Sequence, residues 1–120
     1  GDVYPMATLT KMTTIEELRN TLESSEQKPL LLFKHSTRCP ISARAYKEVQ
    51  AYLQYRPNEQ IDYVWIDVIA DRPISTQAAE TLSTVHESPQ VILVKEGAPV
   101  WHTSHFHITA EALKTQLDGI

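Results

Sequence analysis

The segment TRCPIS, residues 37–42, contains the only cysteine of this 120-residue chain, and the residues on either side of it indicate its surroundings. An apolar run before it, residues 29–34, is typical of a buried strand. After it, residues 41–53 repeat apolar side chains at helical spacing, with polar side chains between them. Cys39 is therefore predicted to lie at the junction between a buried strand and a helix.

Pro40 suits the first turn of that helix, because its missing N–H costs nothing there and its fixed φ already matches the helix. Cys39 then becomes the residue that caps the helix N-terminus. Free backbone N–H groups and the positive end of the helix dipole would face its sulfur, and both favour the thiolate over the thiol. Arg38 adds a cation beside it. We therefore expect Cys39 to be a usable nucleophile near neutral pH.

The alternative for this cysteine is an inert, buried structural role, which is common for free cysteines. Its neighbours Ser36, Thr37 and Arg38 are polar, which argues against an apolar pocket around the sulfur. We therefore treat Cys39 as a reactive thiol.

Length and composition indicate one globular domain. A chain of 120 residues can build one ordinary core but not two. Hydrophobic residues make up 42% and charged residues 22%, with only 3 glycines, which excludes low-complexity and collagen-like chains. We assign residues 6–120 to this domain. Residues 1–5, which precede Met6, are interpreted as an appended or disordered N-terminal segment.

Charge and cysteine content restrict the class of partner and the compartment. A net charge of -4 lacks the basic footprint of a nucleic-acid binder, so no nucleic-acid partner is expected. No apolar run is long enough to cross a bilayer, and no signal-peptide pattern opens the chain, so we expect a cytoplasmic protein without membrane contact. One cysteine allows neither an internal disulfide nor a cysteine cage for zinc, which suits a reducing compartment.

The rest of the chain alternates helical and strand patterns. The predicted order is helix, strand, helix, strand, helix, strand, strand, helix, which calls for parallel pairing first and an antiparallel hairpin at the end. This predicts an α/β fold with a mixed central sheet of about four strands covered by helices on both faces. The predicted helices span approximately residues 15–23, 40–55, 74–85 and 110–117, and the predicted strands span residues 30–35, 61–68, 91–95 and 99–104.

A strand that leads to a cysteine at a helix N-terminus, followed about fifty residues later by Pro89 before a central strand, resembles the thioredoxin fold. Within that superfamily, CPIS at residues 39–42, preceded by HSTR at residues 35–38, resembles the monothiol bacilliredoxins (YtxJ-like proteins of the bacillithiol system). The likeness covers nearly the whole chain after Met6, including SPQV at residues 88–91 and WHTSH at residues 101–105.

This resemblance implies that Pro89 follows a cis peptide bond, a minority state for proline. It would bring the backbone of Ser88 beside the sulfur, where an extended substrate segment can pair with it like an added strand. The alternative is an ordinary trans turn before a strand. We accordingly predict that Cys39 is the catalytic residue. The predicted substrate contacts are Thr37, Arg38, Pro40, Ser42, Ser88 and Pro89.

The lone cysteine restricts the chemistry. A dithiol oxidoreductase resolves its mixed disulfide with a second cysteine, but Ser42 holds that place and cannot form a disulfide. Any adduct on Cys39 must wait for an external thiol, so the natural reaction is transfer of a small thiol from a protein. The resemblance names that thiol as bacillithiol, a co-substrate rather than a bound cofactor, and S-bacillithiolated proteins as the clients. Ser42 either donates a hydrogen bond to the Cys39 thiolate or is a small exposed residue.

Several side chains near the cysteine have more than one interpretation. Because bacillithiol carries carboxylates, cations should line its site, and Arg38, Lys34, Arg44 and Lys47 are the candidates. The two on the helix, Arg44 and Lys47, are as readily explained by a solvated helix face. His35 either acts on the thiol as a charged group or is simply a polar residue at a strand end.

Two other functions and a metal site compete with this hypothesis. The chain could be a non-catalytic thioredoxin-like interaction or redox-sensing module, or a monothiol glutaredoxin-like protein that acts with glutathione. His102, His105 and His107 lie close together in sequence, as zinc ligands often do, but no carboxylate or cysteine accompanies them. We therefore predict no metal site.

Overall fold

The computed structural model describes residues 6–120, so the prediction for residues 1–5 lies outside the described residues. Strands and helices alternate along most of the chain. The strands are β1 (Leu9–Lys11), β2 (Leu30–His35), β3 (Asp62–Asp67), β4 (Gln90–Lys95) and β5 (Ala98–Ser104), and the helices are α1 (Ile15–Ser24), α2 (Pro40–Leu53), α3 (Arg72–Thr81) and α4 (Ala110–Leu117), with a 3₁₀ turn at His105–His107.

The five strands form one mixed sheet in the order β1-β3-β2-β4-β5. β2 lies at its centre, parallel to β3 and antiparallel to β4. The predicted mixed sheet of about four strands is confirmed, with β1 as an additional edge strand. β1 has only three residues and no strand-like alternation of its own, and it exists because it pairs with β3 from Leu9↔Tyr63 to Lys11↔Trp65.

Helix α3 ends earlier than its pattern predicts. The expected end near Val85 is wrong, because the helix stops at Thr81 and Ser83 takes a positive φ of 49°. The Thr84 hydroxyl then donates to the carbonyl of Leu82, which fixes a turn in place of another helical turn. Residues 83–88 therefore form the loop that leads to Pro89.

Side chains of β2 alternate between two helical layers, as the period of a strand requires. Leu31 and Phe33 pack with α2 and α4, and Leu30 and Leu32 pack with α1 and α3. All six residues of β2 are buried. The strand's polar end is therefore buried too, with His35 on the α2 side and Lys34 on the α3 side.

The sheet topology brings three chain segments to one edge. The carboxyl ends of the parallel strands β2 and β3 lie beside the amino end of the antiparallel strand β4. Cys39 follows the first of these ends, and Pro89 directly precedes β4. The two parts of the predicted site are thus assembled at the same edge.

Two valine-to-alanine substitutions, one at a buried position and one at an exposed position, test this description of the core. Val94→Ala in β4 leaves a cavity at a fully buried position, whereas Val100→Ala in β5 alters a side chain that is 56% exposed. We expect the free energy of unfolding, measured by urea denaturation, to fall by about 2 kcal/mol in the first variant and by less than about 0.5 kcal/mol in the second. Equal losses in both variants would contradict this description of the core.

Candidate active site at the N-terminus of α2

Cys39 is the residue that caps the N-terminus of α2, as predicted. Its backbone is extended, with φ −104° and ψ 126°, and Pro40 occupies the first helical turn. Its carbonyl accepts the first helical hydrogen bond, from Ala43 N–H at 2.9 Å. The thiol is free and half-buried, and its side chain makes no capping hydrogen bond. The sulfur therefore lies at the mouth of the helix, not sealed in the core.

The residues on either side of Cys39 are open to solvent. Thr37, Arg38, Pro40 and Ile41 are all exposed. Two hydrogen bonds to Ser36 give this loop its shape, since Arg38 N–H donates to the side-chain Oγ at 3.3 Å and Cys39 N–H donates to the backbone O at 3.4 Å. A ligand that approaches the sulfur would therefore meet the predicted contacts Thr37, Arg38 and Pro40 without displacing core residues.

Ser42 differs from both expectations. It is fully buried, so the prediction of an exposed residue is wrong. Its Oγ accepts a hydrogen bond from Ser36 N–H at 2.8 Å and lies 2.6 Å from His35 Nδ1. The hydroxyl is thus engaged by the end of β2, and the alternative expectation, a hydrogen bond to the Cys39 sulfur, is not among its contacts.

His35 is a buried member of an aromatic stack, which corrects its interpretation as a simple polar strand end. Its ring stacks on Phe33 and Tyr46, each with centroids 5.2 Å apart, and is tilted against Trp65 at 5.5 Å. Burial lowers the pKa of His35, although the carboxylate of Asp67 and the contact with Ser42 act in the opposite direction. The neutral ring is therefore favoured, and with Nε2 protonated its Nδ1 can accept the Ser42 hydroxyl hydrogen.

The Ser88–Pro89 peptide bond is cis, as the resemblance implied. Pro89 is buried and Ser88 is half-buried. The loop before them is held by the side chain of Gln90, which donates from Nε2 to Val85 O at 3.0 Å and accepts at Oε1 from Glu87 N–H at 3.4 Å. One amide side chain thus fixes the path of the backbone that leads to Ser88.

The predicted cations lie in different environments. Arg38 is exposed, and Arg44 lies over the ring of Phe106, 5.2 Å from its centroid. Lys47 is exposed on α2. Lys34 does not lie on the surface beside Cys39, because it is fully buried on the opposite face of β2, and burial lowers its pKa to about 8.

The histidines near the end of β5 lie on the surface. His102, His105 and His107 are all exposed. Within residues 6–120, no group of three or more His, Cys, Asp or Glu side chains has a geometry that could hold a metal ion. Over the same residues, no helix combines the length and the apolar character that crossing a membrane requires.

Acid should destabilise the protein partly through His35. Its folded-state pKa lies below the ordinary value of about 6.5, so the unfolded chain takes up this proton more readily. The stability that neutral His35 contributes is therefore complete above about pH 6.5 and is lost as the pH falls through the folded-state pKa. We expect urea denaturation to give a smaller free energy of unfolding at about pH 5 than at about pH 7.5.

His35→Gln should make this pH dependence shallower. His86→Gln should also make it shallower, because burial, followed by the nearby cations Lys34 and Arg72, lowers the pKa of His86. An unchanged pH dependence in His35→Gln would contradict a buried neutral imidazole at this position.

Loss of the Ser42 hydroxyl should also destabilise the protein. Ser42→Ala leaves the buried Ser36 N–H and His35 Nδ1 without their partner, which typically costs about 1–3 kcal/mol. The control is Ser24→Ala, which removes an exposed serine hydroxyl that bonds within α1. Urea denaturation should show a clear loss only for Ser42→Ala, and equal stability of the two variants would show that this contact contributes little.

Comparison with solved structures identifies the fold independently. A thioredoxin-fold protein proposed to be an oxidoreductase is 30% identical, with a TM-score of 0.77, and the match covers 89% of this chain and 91% of that one. Mitochondrial thioredoxin 3 from Saccharomyces cerevisiae is 19% identical, with a TM-score of 0.71 over 93% of this chain and 95% of its own. Thioredoxin from Malassezia sympodialis is 9% identical, with a TM-score of 0.78 over 99% and 96% of the two chains. The fold is therefore the thioredoxin fold.

Sequence comparison resolves the family within that fold. The pattern that defines the monothiol bacilliredoxin BrxC family matches residues 10–113. This span includes Cys39, Ser42 and the Ser88–Pro89 loop, and it extends from β1 into α4. With one cysteine at the N-terminus of α2 and a thioredoxin-like oxidoreductase fold around it, the chain belongs to the monothiol bacilliredoxin family.

Proposed function

We propose that this protein removes bacillithiol from mixed disulfides on client proteins, with Cys39 as the attacking sulfur. The observation that carries the proposal is a single half-exposed thiol at the N-terminus of α2, with buried Ser42 where a resolving cysteine would stand. A free thiol persists in a reducing compartment, so the proposal assigns the reaction to the cytoplasm.

The first step transfers the small thiol to the protein. The Cys39 thiolate attacks the bacillithiol sulfur of the mixed disulfide and forms a new S–S bond. The bond between bacillithiol and the client breaks, and the client sulfur leaves as a thiolate that takes a proton from water. The position of Cys39 supports this step, because a half-exposed sulfur at the N-terminus of α2 is accessible to the mixed disulfide.

The second step restores Cys39. A second bacillithiol, as its thiolate, attacks the bacillithiol sulfur of the Cys39 adduct, so that bacillithiol disulfide leaves and the Cys39 thiolate is regenerated. The sum converts one mixed disulfide and one bacillithiol into one reduced client and one bacillithiol disulfide. Bacillithiol is thus a co-substrate, and the cycle needs no bound cofactor.

The proposed binding mode uses backbone rather than side chains of the client. An extended segment next to the scissile disulfide would pair with the backbone of Ser88, and Thr37, Arg38 and Pro40 would flank it. This arrangement is supported by the exposure of those three residues and by the partial exposure of Ser88. Pairing through the backbone suits an enzyme that must accept different clients.

A client peptide with one bacillithiolated cysteine tests the proposal. Incubation with the protein should release the peptide thiol, and the intact mass of the chain should rise by one bacillithiol. Since the chain has one cysteine, that adduct can only be on Cys39. Cys39→Ser should show neither change, whereas Ser24→Ala, altered on the exposed face of α1, should behave as the wild type does.

Other outcomes decide between the proposal and its alternatives. Release of the peptide by Cys39→Ser, or no release by the wild type, would refute the proposal. An adduct that forms but is not cleared by added bacillithiol would indicate a redox sensor. Faster release from a glutathionylated peptide than from a bacillithiolated one would favour a glutaredoxin-like protein that acts with glutathione.

A further inference from the structure

A small cavity lies at the same edge of the sheet as Cys39, on the α3 side. Its volume is about 230 Å³. Pockets that enclose a whole drug-sized ligand measure about 300–1,000 Å³, so this one suits a single group of a larger ligand. It is lined by the loop after β3, the first turns of α3 and the loop before Pro89, through Val68, Ile69, Arg72, Ser75, Thr76 and His86.

Basic groups converge on this cavity. Arg72 and His86 line it directly. Behind them, the fully buried Lys34 extends from β2, and its Nζ lies 3.2 Å from His86 Nδ1 and donates to Ser75 O at 3.2 Å. The Ser75 hydroxyl, 3.3 Å from the same ring nitrogen, adds a neutral donor.

Within the part of the chain that the structure describes, the two cations at this cavity, Lys34 and Arg72, lack a carboxylate partner. The ion pairs within residues 6–120 are Lys28–Asp62 and Lys114–Asp118, and neither involves the cavity. Glu87 is the one acidic group with an electrostatic effect on His86, where it opposes Lys34 and Arg72. A buried cation without a counter-charge is unfavourable, so an anion in the cavity would be stabilised by the charges around it.

Backbone contacts connect the cavity to the edge of the sheet where Cys39 lies. Val68 N–H donates to His35 O at 3.0 Å, so the loop after β3 is fixed to the strand end that leads to Cys39. His86 lies two residues before Ser88, and Lys34 is paired with Gln90 across the sheet. Cys39, Ser88 and the cavity therefore lie at the same edge of the sheet, on chain segments that are joined through the end of β2.

We propose that this cavity binds a carboxylate of the substrate that reacts at Cys39, and that this carboxylate belongs to the small thiol. The inference rests on the proposed function, because bacillithiol carries carboxylates. Arg72 and His86 would donate to the carboxylate, with Lys34 as the charge behind them. The pocket would thus select a carboxylate-bearing thiol over a neutral one. The other possible source of the same group is an acidic side chain of the client.

Two forms of one peptide, each with a different thiol in its mixed disulfide, test this selectivity for a carboxylate-bearing thiol. The peptide carries either bacillithiol or β-mercaptoethanol, and the measured quantity is the ratio of the two initial rates of peptide release. Arg72→Gln removes an exposed cation, so folding should be preserved, and His86→Gln is the second variant. Arg19→Gln, which removes a charge from the exposed face of α1, is the control.

We expect each cavity variant to lower the ratio of the bacillithiol rate to the β-mercaptoethanol rate by roughly tenfold, because each variant removes one charge-assisted hydrogen bond to the carboxylate. Only release from the bacillithiol adduct should become slower. The wild-type ratio should also fall at high salt. Arg19→Gln should retain the wild-type ratio.

Three results would overturn the inference in distinguishable ways. Normal release with an unchanged ratio in both cavity variants would refute the anion site and leave the proposed function intact. No release from either adduct by the wild type would refute the proposed function itself. If the rate follows added acidic residues in the peptide whichever thiol it carries, the carboxylate comes from the client.

Discussion

The Ser42 hydroxyl joins the end of β2 to the first turn of α2, and the reactive loop lies between the two joined points. Ser36 N–H, the first amide after the strand, donates to Ser42 Oγ, and the His35 ring contacts the same oxygen. Cys39 is therefore held from both sides, three residues from each anchor. Because the anchor is buried, water does not compete for its hydrogen bonds, and Cys39 remains partly exposed on a loop that is anchored at both ends.

The position that would carry a resolving thiol in a dithiol protein thus has a structural use here. Ser42 cannot form a disulfide, but it shapes the loop that presents the Cys39 sulfur. The serine has two consequences that support each other. Under the proposed function, a serine at this position leaves any adduct on Cys39 to be cleared by an external thiol. Its hydroxyl also holds the loop that carries Cys39.

The polar end of β2 makes contacts on both sides of the sheet. A buried polar group is tolerated when it finds partners, and His35 and Lys34 find theirs on opposite sides of the sheet. His35 lies in the aromatic stack and contacts Ser42, whereas Lys34 contacts Ser75 of α3 and His86 of the loop before Pro89. The end of β2 therefore contacts α2, α3 and the loop before Pro89, which are the three segments around the edge of the sheet where Cys39 lies.

Local patterns were sufficient to predict most of the fold and the position of Cys39. Pro40 marked the start of α2, and the apolar runs marked β2, β3 and β4. The resemblance supplied the cis bond before Pro89. β1 was missed because its three residues are ordered only by pairing with β3. The end of α3 was missed because the positive φ of Ser83 has no clear signal in its residue type.

The buried contacts of the site could not be predicted in full for a similar reason. Whether the Ser42 hydroxyl faces the Cys39 sulfur or the end of β2 depends on how α2 packs on the sheet. No short sequence pattern specifies that packing. One signal was available for His35, since alternation along β2 places it on the same face as Leu31 and Phe33. The same alternation places Lys34 with Leu30 and Leu32, beneath the cavity. Its environment follows from the strand, but its partners His86 and Ser75 follow only from the tertiary structure.

In the proposed reaction, the single sulfur of Cys39 takes up the small thiol and has no second cysteine to which it can pass the small thiol. The most direct test is the stoichiometry of client release in the absence of free bacillithiol. We predict a rapid burst of one client thiol per Cys39 that then stops and that resumes when bacillithiol is added. Continuous release without added thiol, or a burst absent from fully reduced protein, would contradict it.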